Sequence, residues 1–164
     1  MEYIHKYMSP IGGITMASNG EKLIGLWFDG QRYFADTLGN DYIEEKLPIF
    51  EETCRWLDIY FNGKVPEFMP EISINTTSFR REVWKVLLSI PYGKTMTYGE
   101  IANTIADQRG IKRMSAQAVG NAVGHNPISI IIPCHRVVGQ NGKLTGYAGG
   151  LDKKLWLLNM ETHK

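Results

Sequence analysis

Residues 11–18 and 22–28 are rich in apolar side chains and flank Asn19-Gly20, a dipeptide suited to the left-handed backbone of a tight turn, so a β-hairpin is predicted there. Between 49 and 61 the apolar positions change period. Phe50, Cys54, Leu57 and Phe61 fall at helical spacing and Gly63 follows as a stop, which predicts a helix with Cys54 on its packed stripe. Residues 65–70 carry two prolines and read as a linker. Beyond it Phe79, Val83, Val86, Leu87 and Ile90 form one helical stripe behind a Thr77/Ser78 cap, and Pro91 ends it. Tyr92-Gly93 makes a turn. Thr97-x-x-Glu100 is a capping box that opens a helix with Ile101 and Ile105 inward, and a polar, basic loop covers 107–113. Ser115 caps a short helix over 116–123, ended by Gly124. Asn126-Pro127 breaks the chain, 128–132 reads as a short buried strand, and Asp152 caps a last helix that holds Leu155, Trp156, Leu157 and Leu158.

Two helices, the second capped after a loop, suggest a helix-turn-helix unit, with a loop longer than the minimal turn. The second of them is nearly bald: Ala116, Ala118, Gly120 and Ala122 leave only Gln117 and Asn121 as polar side chains. Glycine inside a helix costs about 1 kcal/mol relative to alanine, so something approaches closely. Tight helix packing and an external ligand both fit that pattern.

With 164 residues and 43% hydrophobic content, the chain suffices for one ordinary domain or two small ones. No run of 18 apolar residues exists, and the N-terminus lacks the basic-then-apolar order of a signal peptide, so neither a membrane span nor export is expected. Cys54 and Cys134 do not make a disulfide framework, which points to the cytoplasm and reduced thiols, and no Cys/His cluster has metal-binding spacing. The net charge of +1 hides a polarity. Residues 1–75 hold 6 Lys/Arg against 12 Asp/Glu, and residues 76–164 hold 12 against 5. A basic second half suits a polyanionic partner, although mutual attraction of the halves would also account for it.

The candidate chemistry lies at 131–138, Ile-Ile-Pro-Cys-His-Arg-Val-Val. Only the thiolate of a cysteine is nucleophilic, and Cys134 has a base, His135, and a cation, Arg136, beside it. Pro133 fixes its own φ and favours extended backbone at Ile132, so Cys134 is expected on a constrained turn. Neighbours in extended chain point apart, so a bend or a bridging water must bring His135 to the thiol. Glu161 could orient His135 as the third member of a triad does, although its spacing alone reads as a surface carboxylate.

The octapeptide resembles the active-site signature of the O6-alkylguanine-DNA alkyltransferases, the methylated-DNA–protein-cysteine methyltransferases. Asn126-Pro127 before it, and Gly146-Tyr147-Ala148-Gly149-Gly150 and Trp156-Leu157-Leu158-x-x-Glu161 after it, stand at that family's intervals. The resemblance is strong over residues 78–161 and general in the first half. It implies stoichiometric, irreversible transfer of a methyl or larger alkyl group from O6 of guanine, or O4 of thymine, in double-stranded DNA to Cys134. No cofactor and no metal is implied. His135 would deprotonate Cys134 through a water, and Glu161 would position His135. Tyr98 would donate to the flipped base, and Asn126 would be the hinge before the active-site strand. Val137 would offer a carbonyl to the guanine amino group, and Tyr147, Ala148 and Gly149 would line the pocket. Arg136 would hold structure or contact the backbone. The bald helix, with Ser115, Ala116, Gly120 and Asn121, would enter the minor groove. Its Gln117 would fill the gap left by the flipped base, where most well-known members carry arginine.

The resemblance further implies an α+β protein acting as a monomer, with two domains. Residues 1–75 would form a ribonuclease-H-like antiparallel sheet with one helix. Residues 76–164 would form a helical, winged-helix-like DNA-binding and alkyl-acceptor domain. The metal-binding cysteines of the longer adaptive-response relatives are absent, so phosphotriester sensing is not expected. Two other classes compete. A non-catalytic lesion-binding protein would bind alkylated DNA without reacting, and such proteins replace the cysteine that is present here. A cysteine hydrolase or redox enzyme would turn over a small substrate and ignore DNA.

Overall fold

The computed structural model describes residues 1–162. The chain divides into two compact units: Met1–Asn75 with Pro127–Ser129, and Thr76–Asn126 with the chain from Ile130 onward.

The first unit is built on a four-stranded sheet in the order β3-β2-β1-β4, with β1 Glu2–Ser9, β2 Gly12–Ser18, β3 Leu23–Phe28 and β4 Tyr42–Glu44. β1, β2 and β3 pair antiparallel, and β4 joins the edge parallel to β1. The hairpin expected around Asn19-Gly20 is present as β2 and β3, but its loop is longer than two residues. The Asn19 side chain accepts from the backbone N–H groups of Glu21 and Lys22, and the register shifts at Ala17/Ser18. β3 is buried almost throughout, as its nearly continuous apolar sequence requires. Gly25 makes room for the indole of Trp27, which a Cβ at that position would overlap. β1 and β4 were not foreseen, because neither carries a strict alternation and β4 is short and exposed.

Helix α1, Pro48–Phe61, has proline in its first turn and buries Ile49, Phe50, Thr53, Trp56, Leu57 and Tyr60. Phe50 stacks on His5 and Phe61 on Tyr7, whose hydroxyl donates to Asp58 at 2.6 Å. The buried stripe passes beside Cys54, which is half-exposed rather than the packed core thiol its spacing predicts.

The second unit packs α2 Ser78–Leu88, α3 Tyr98–Arg109, α4 Ala116–Gly124 and α5 Leu151–Thr162. A two-residue parallel pairing, β5 Met96–Thr97 with β6 Val137–Val138, joins the start of α3 to the segment after the cysteine. Thr77 caps α2, both halves of the Thr97/Glu100 capping box are formed on α3, and Ser115 caps α4. Trp84 of α2 donates its indole N–H to the carbonyl of Ala122 on α4. Arg109 at the end of α3 makes a forked ion pair with Glu82 of α2. Val119, Ala122 and Val123 are the buried side of α4.

The strand expected at 128–132 does not form. Ile128 makes a single bridge to Leu26, and the chain then turns through Ile130, whose φ of 69° is the left-handed region a β-branched residue rarely occupies. The apolar run reflects burial of 128–132, not sheet pairing.

Candidate active site

The turn at Ile130 and the fixed φ of Pro133 deliver the chain into one 3-10 turn, Cys134–Arg136. The Cys134 N–H donates to Ile132 at 2.8 Å and the Arg136 N–H donates to Pro133 at 3.0 Å. This local coil supplies the bend that extended backbone would deny to neighbouring side chains. Cys134 is 5% exposed and His135 fully buried.

Glu161, placed by sequence spacing at the surface, is 2% exposed on the inner side of α5 with Leu157 and Lys154. Its carboxylate accepts from His135 Nε2 at 2.7 Å, from Arg136 Nε at 2.8 Å, from Arg136 Nη2 at 3.0 Å and from the Gly93 N–H at 3.2 Å. The third arm of Arg136, Nη1, donates to the Ile90 carbonyl at 2.8 Å. Burial alone would push the Glu161 carboxyl up. The hydrogen bonds and charges of His135 and Arg136 outweigh it and hold the group at about 2. Burial lowers His135 from the ordinary imidazole value despite the raising pull of Glu161, so the ring is neutral at neutral pH. A neutral ring donating Nε2–H to an ionised carboxylate carries its lone pair on Nδ1. The arrangement is a base held in one tautomer.

Around Cys134, burial raises the thiol, while a hydrogen bond from the Asn126 side chain and the charge of Lys154 pull it down. Asn126 is buried, and its amide also donates to the Ile132 carbonyl at 2.8 Å, which ties the end of α4 to the approach to the cysteine. Lys154 is the residue that sequence reasoning missed. It is fully buried, and its ammonium donates to the carbonyls of Thr145 and Gly146 at 3.4 and 3.5 Å. A signal existed: Lys154, Leu157 and Glu161 recur at helical spacing, which puts two charges on the apolar stripe of α5.

Tyr98 opens α3 with its ring beside α4, where a Cβ on Gly120 would lie 3.8 Å from the ring edge. Its oxygen accepts from the Thr145 hydroxyl at 3.1 Å. Tyr147, Ala148 and Gly149 are half-buried in the loop before α5, and Val137 is fully buried on β6. Ala116, Gln117 and Asn121 are exposed on α4, and Gly120 lies half-buried on the same side. Ser115 accepts from the Ala118 N–H at 3.1 Å. Among the described residues no three His, Cys, Asp or Glu side chains gather as metal ligands would, and no helix is long and apolar enough to cross a membrane.

The first unit and the second each match a family model. Residues 3–74 match the ribonuclease-like domain of 6-O-methylguanine DNA methyltransferase, and residues 78–163 match its DNA-binding domain. A methylated-DNA–protein-cysteine methyltransferase of Methanosarcina barkeri is 47% identical over 154 residues, covering 93% of this chain and 92% of that protein. One from Mycobacterium leprae is 43% identical over 156 residues, covering 95% and 90%. The crystal structure of Mycobacterium tuberculosis OGT in complex with DNA superposes with a TM-score of 0.83 at 43% identity, covering 98% of this chain and 92% of that one. The chain belongs to the 6-O-methylguanine DNA methyltransferase family.

Proposed function

We propose that this protein repairs alkylated DNA by transferring the methyl group of O6-methylguanine, or of O4-methylthymine, irreversibly to Cys134. The observation that carries this reading is the buried sequence of groups Cys134, His135, Glu161 and Arg136 in one short coil and one helix face. His135 takes the Cys134 proton, through a bridging water, at Nδ1. Glu161 holds the ring and stabilises its cation, and Arg136 keeps Glu161 ionised as it does so. The thiolate then attacks the alkyl carbon, the carbon–oxygen bond breaks, and Tyr98 donates to the leaving purine. The S-alkyl bond has no route back, so each molecule reacts once, with no cofactor.

A thiol at 5% exposure cannot reach a base inside a duplex, so the target nucleotide must leave the stack, at a cost of a few kcal/mol. The small exposed face of α4 suits close approach to the minor groove, with Gln117 in the position to fill the vacated space. Val137, Tyr147, Ala148 and Gly149 would then surround the base, with Asn126 fixing the passage from α4 to the thiol. Gln117 carries no charge, so weaker duplex affinity or slower flipping than with arginine there would follow, with the chemistry intact. The protein would act as a monomer, and the free thiol suits the reducing cytoplasm.

Intact-protein mass spectrometry after mixing with a duplex that contains one O6-methylguanine tests the reading. The expected result is a gain of one methylene, mapped to Cys134 and capped at one per molecule. Tight binding without a mass change would mean a lesion-binding protein instead. No binding and no change would mean a thiol enzyme with another substrate.

A further inference from the structure

Thr145 has no place in the scheme above, yet its hydroxyl and its carbonyl both have partners in the site. Its methyl group lies where a Cβ on Gly139 would come to 3.0 Å from it, so the glycine leaves the room that this methyl occupies. Its hydroxyl donates to the Tyr98 oxygen at 3.1 Å. Its carbonyl and that of Gly146 receive the buried Lys154 ammonium, which anchors the backbone of the same residue. The Tyr98 ring in turn lies beside Gly120, so both members of the pair meet a glycine.

We propose that Thr145 is a positioning residue for alkyl transfer: by donating to the Tyr98 oxygen it directs the Tyr98 hydroxyl hydrogen at the flipped base and stabilises the phenolate that forms when that hydrogen leaves. The inference rests on the reading of Tyr98 as donor to the leaving purine. A hydroxyl group has one hydrogen, and an accepted hydrogen bond occupies a lone pair of the Tyr98 oxygen, so its own hydrogen turns elsewhere. The proton balance then closes. Sulfur bonds to the methyl carbon, the carbon–oxygen pair goes to the purine, and the purine takes the Tyr98 proton. The Cys134 proton, held on His135, returns through water to the Tyr98 oxygen. Between those events Tyr98 bears negative charge, and a hydrogen bond to an ionised acceptor is about twice as strong as one between neutral groups. The contact therefore strengthens as the reaction proceeds, which is the condition for accelerating it.

The test is single-turnover transfer from an O6-methylguanine duplex by Thr145→Val, Thr145→Ser, Tyr98→Phe and the Thr145→Val/Tyr98→Phe double variant. Duplex affinity and the iodoacetamide reactivity of Cys134 are measured alongside. Thr145→Val should slow transfer about tenfold, with Thr145→Ser within about twofold of the unmodified protein. Duplex binding and iodoacetamide reactivity should be unchanged in both. In the Tyr98→Phe background Thr145→Val should cost nothing further, because its partner is gone. Thr145→Val transferring at full rate, or costing the same tenfold without the Tyr98 hydroxyl, would overturn the proposal alone. Tyr98→Phe transferring at full rate would remove the donor role of Tyr98, and the proposal with it, while leaving transfer to Cys134 intact.

Discussion

At the scale of single residues the site is a problem in desolvation. Glu161, His135 and Arg136 are all buried, and two charged members survive there only because each is paired and hydrogen-bonded. Removing one partner strands another: Glu161→Gln leaves the Arg136 guanidinium without its carboxylate, which should cost about 3–5 kcal/mol in urea unfolding. The pH dependence has a definite sign. Glu161 is held below its ordinary 4.5, at about 2, so its stabilisation is complete above 4.5 and is lost as pH falls through 2. His135 is also held low, so below pH 6.5 the unfolded chain takes up a proton that the folded chain refuses, and stability declines there too. The same depressed value keeps His135 able to accept the Cys134 proton below 6.5. Transfer rate against pH should therefore show its acid limb under that value, and a midpoint at or above 6.5 would contradict the assignment. Lys154 supplies the opposite test. Its charge favours the Cys134 thiolate against burial, so Lys154→Met should raise the thiol further and slow iodoacetamide alkylation at neutral pH, and an unchanged alkylation rate would show that the charge does not reach the thiol.

At the scale of elements, α4 is the part whose sequence works against its own stability. Gly120 is helical, and a Cβ there would meet the Tyr98 ring at 3.8 Å, an ordinary contact. Gly120→Ala should therefore raise stability by about 0.5–1 kcal/mol through helix propensity. If the duplex approaches this face, the added methyl should weaken binding to DNA while leaving the reactivity of Cys134 toward iodoacetamide unchanged. A variant that is more stable and binds equally well would show that the duplex does not need the bare face at Gly120. The helices themselves were legible because their signals are local: the Thr97/Glu100 box, the Ser115 cap and the apolar periods of α1 and α2 all lie within the elements they specify. The approach to the cysteine was not legible, since 128–132 has the composition of a strand while Ile130 adopts a left-handed backbone conformation that no local residue type specifies. The burial of Glu161 and Lys154 depends on which face of α5 is covered. Apolar Leu155 is 46% exposed there, while Lys154 is fully buried. The octapeptide named the residues Cys134, His135 and Arg136 but not the 3-10 turn that brings them to different partners.

At the scale of the whole molecule, a reaction that consumes the protein makes the product a protein species, and its stability is a property the native packing determines. Cys134 is 5% exposed in a stretch of chain where Ile131, Ile132, Val137 and Val138 are each no more than 5% exposed, and its thiol is hydrogen-bonded by Asn126. A transferred methyl adds volume to this packed place and removes the charge state that Asn126 and Lys154 favour. Inserting one carbon into a tight core costs about 1–3 kcal/mol. Against a total stability of about 5–15 kcal/mol for an ordinary protein, that is a large share. The methylated protein should therefore unfold at lower urea than the unreacted one, with an unchanged slope, because the same surface is exposed on unfolding. Opening should begin around the 3-10 turn, where the added group sits, and be visible as faster amide exchange at Cys134–Arg136. Larger groups transferred from bulkier O6 adducts should lower the midpoint further, in order of their volume. An unchanged midpoint after complete methylation would mean that the space vacated by the departing base accommodates the methyl group, and that the site is preorganised for its product as well as for its reaction.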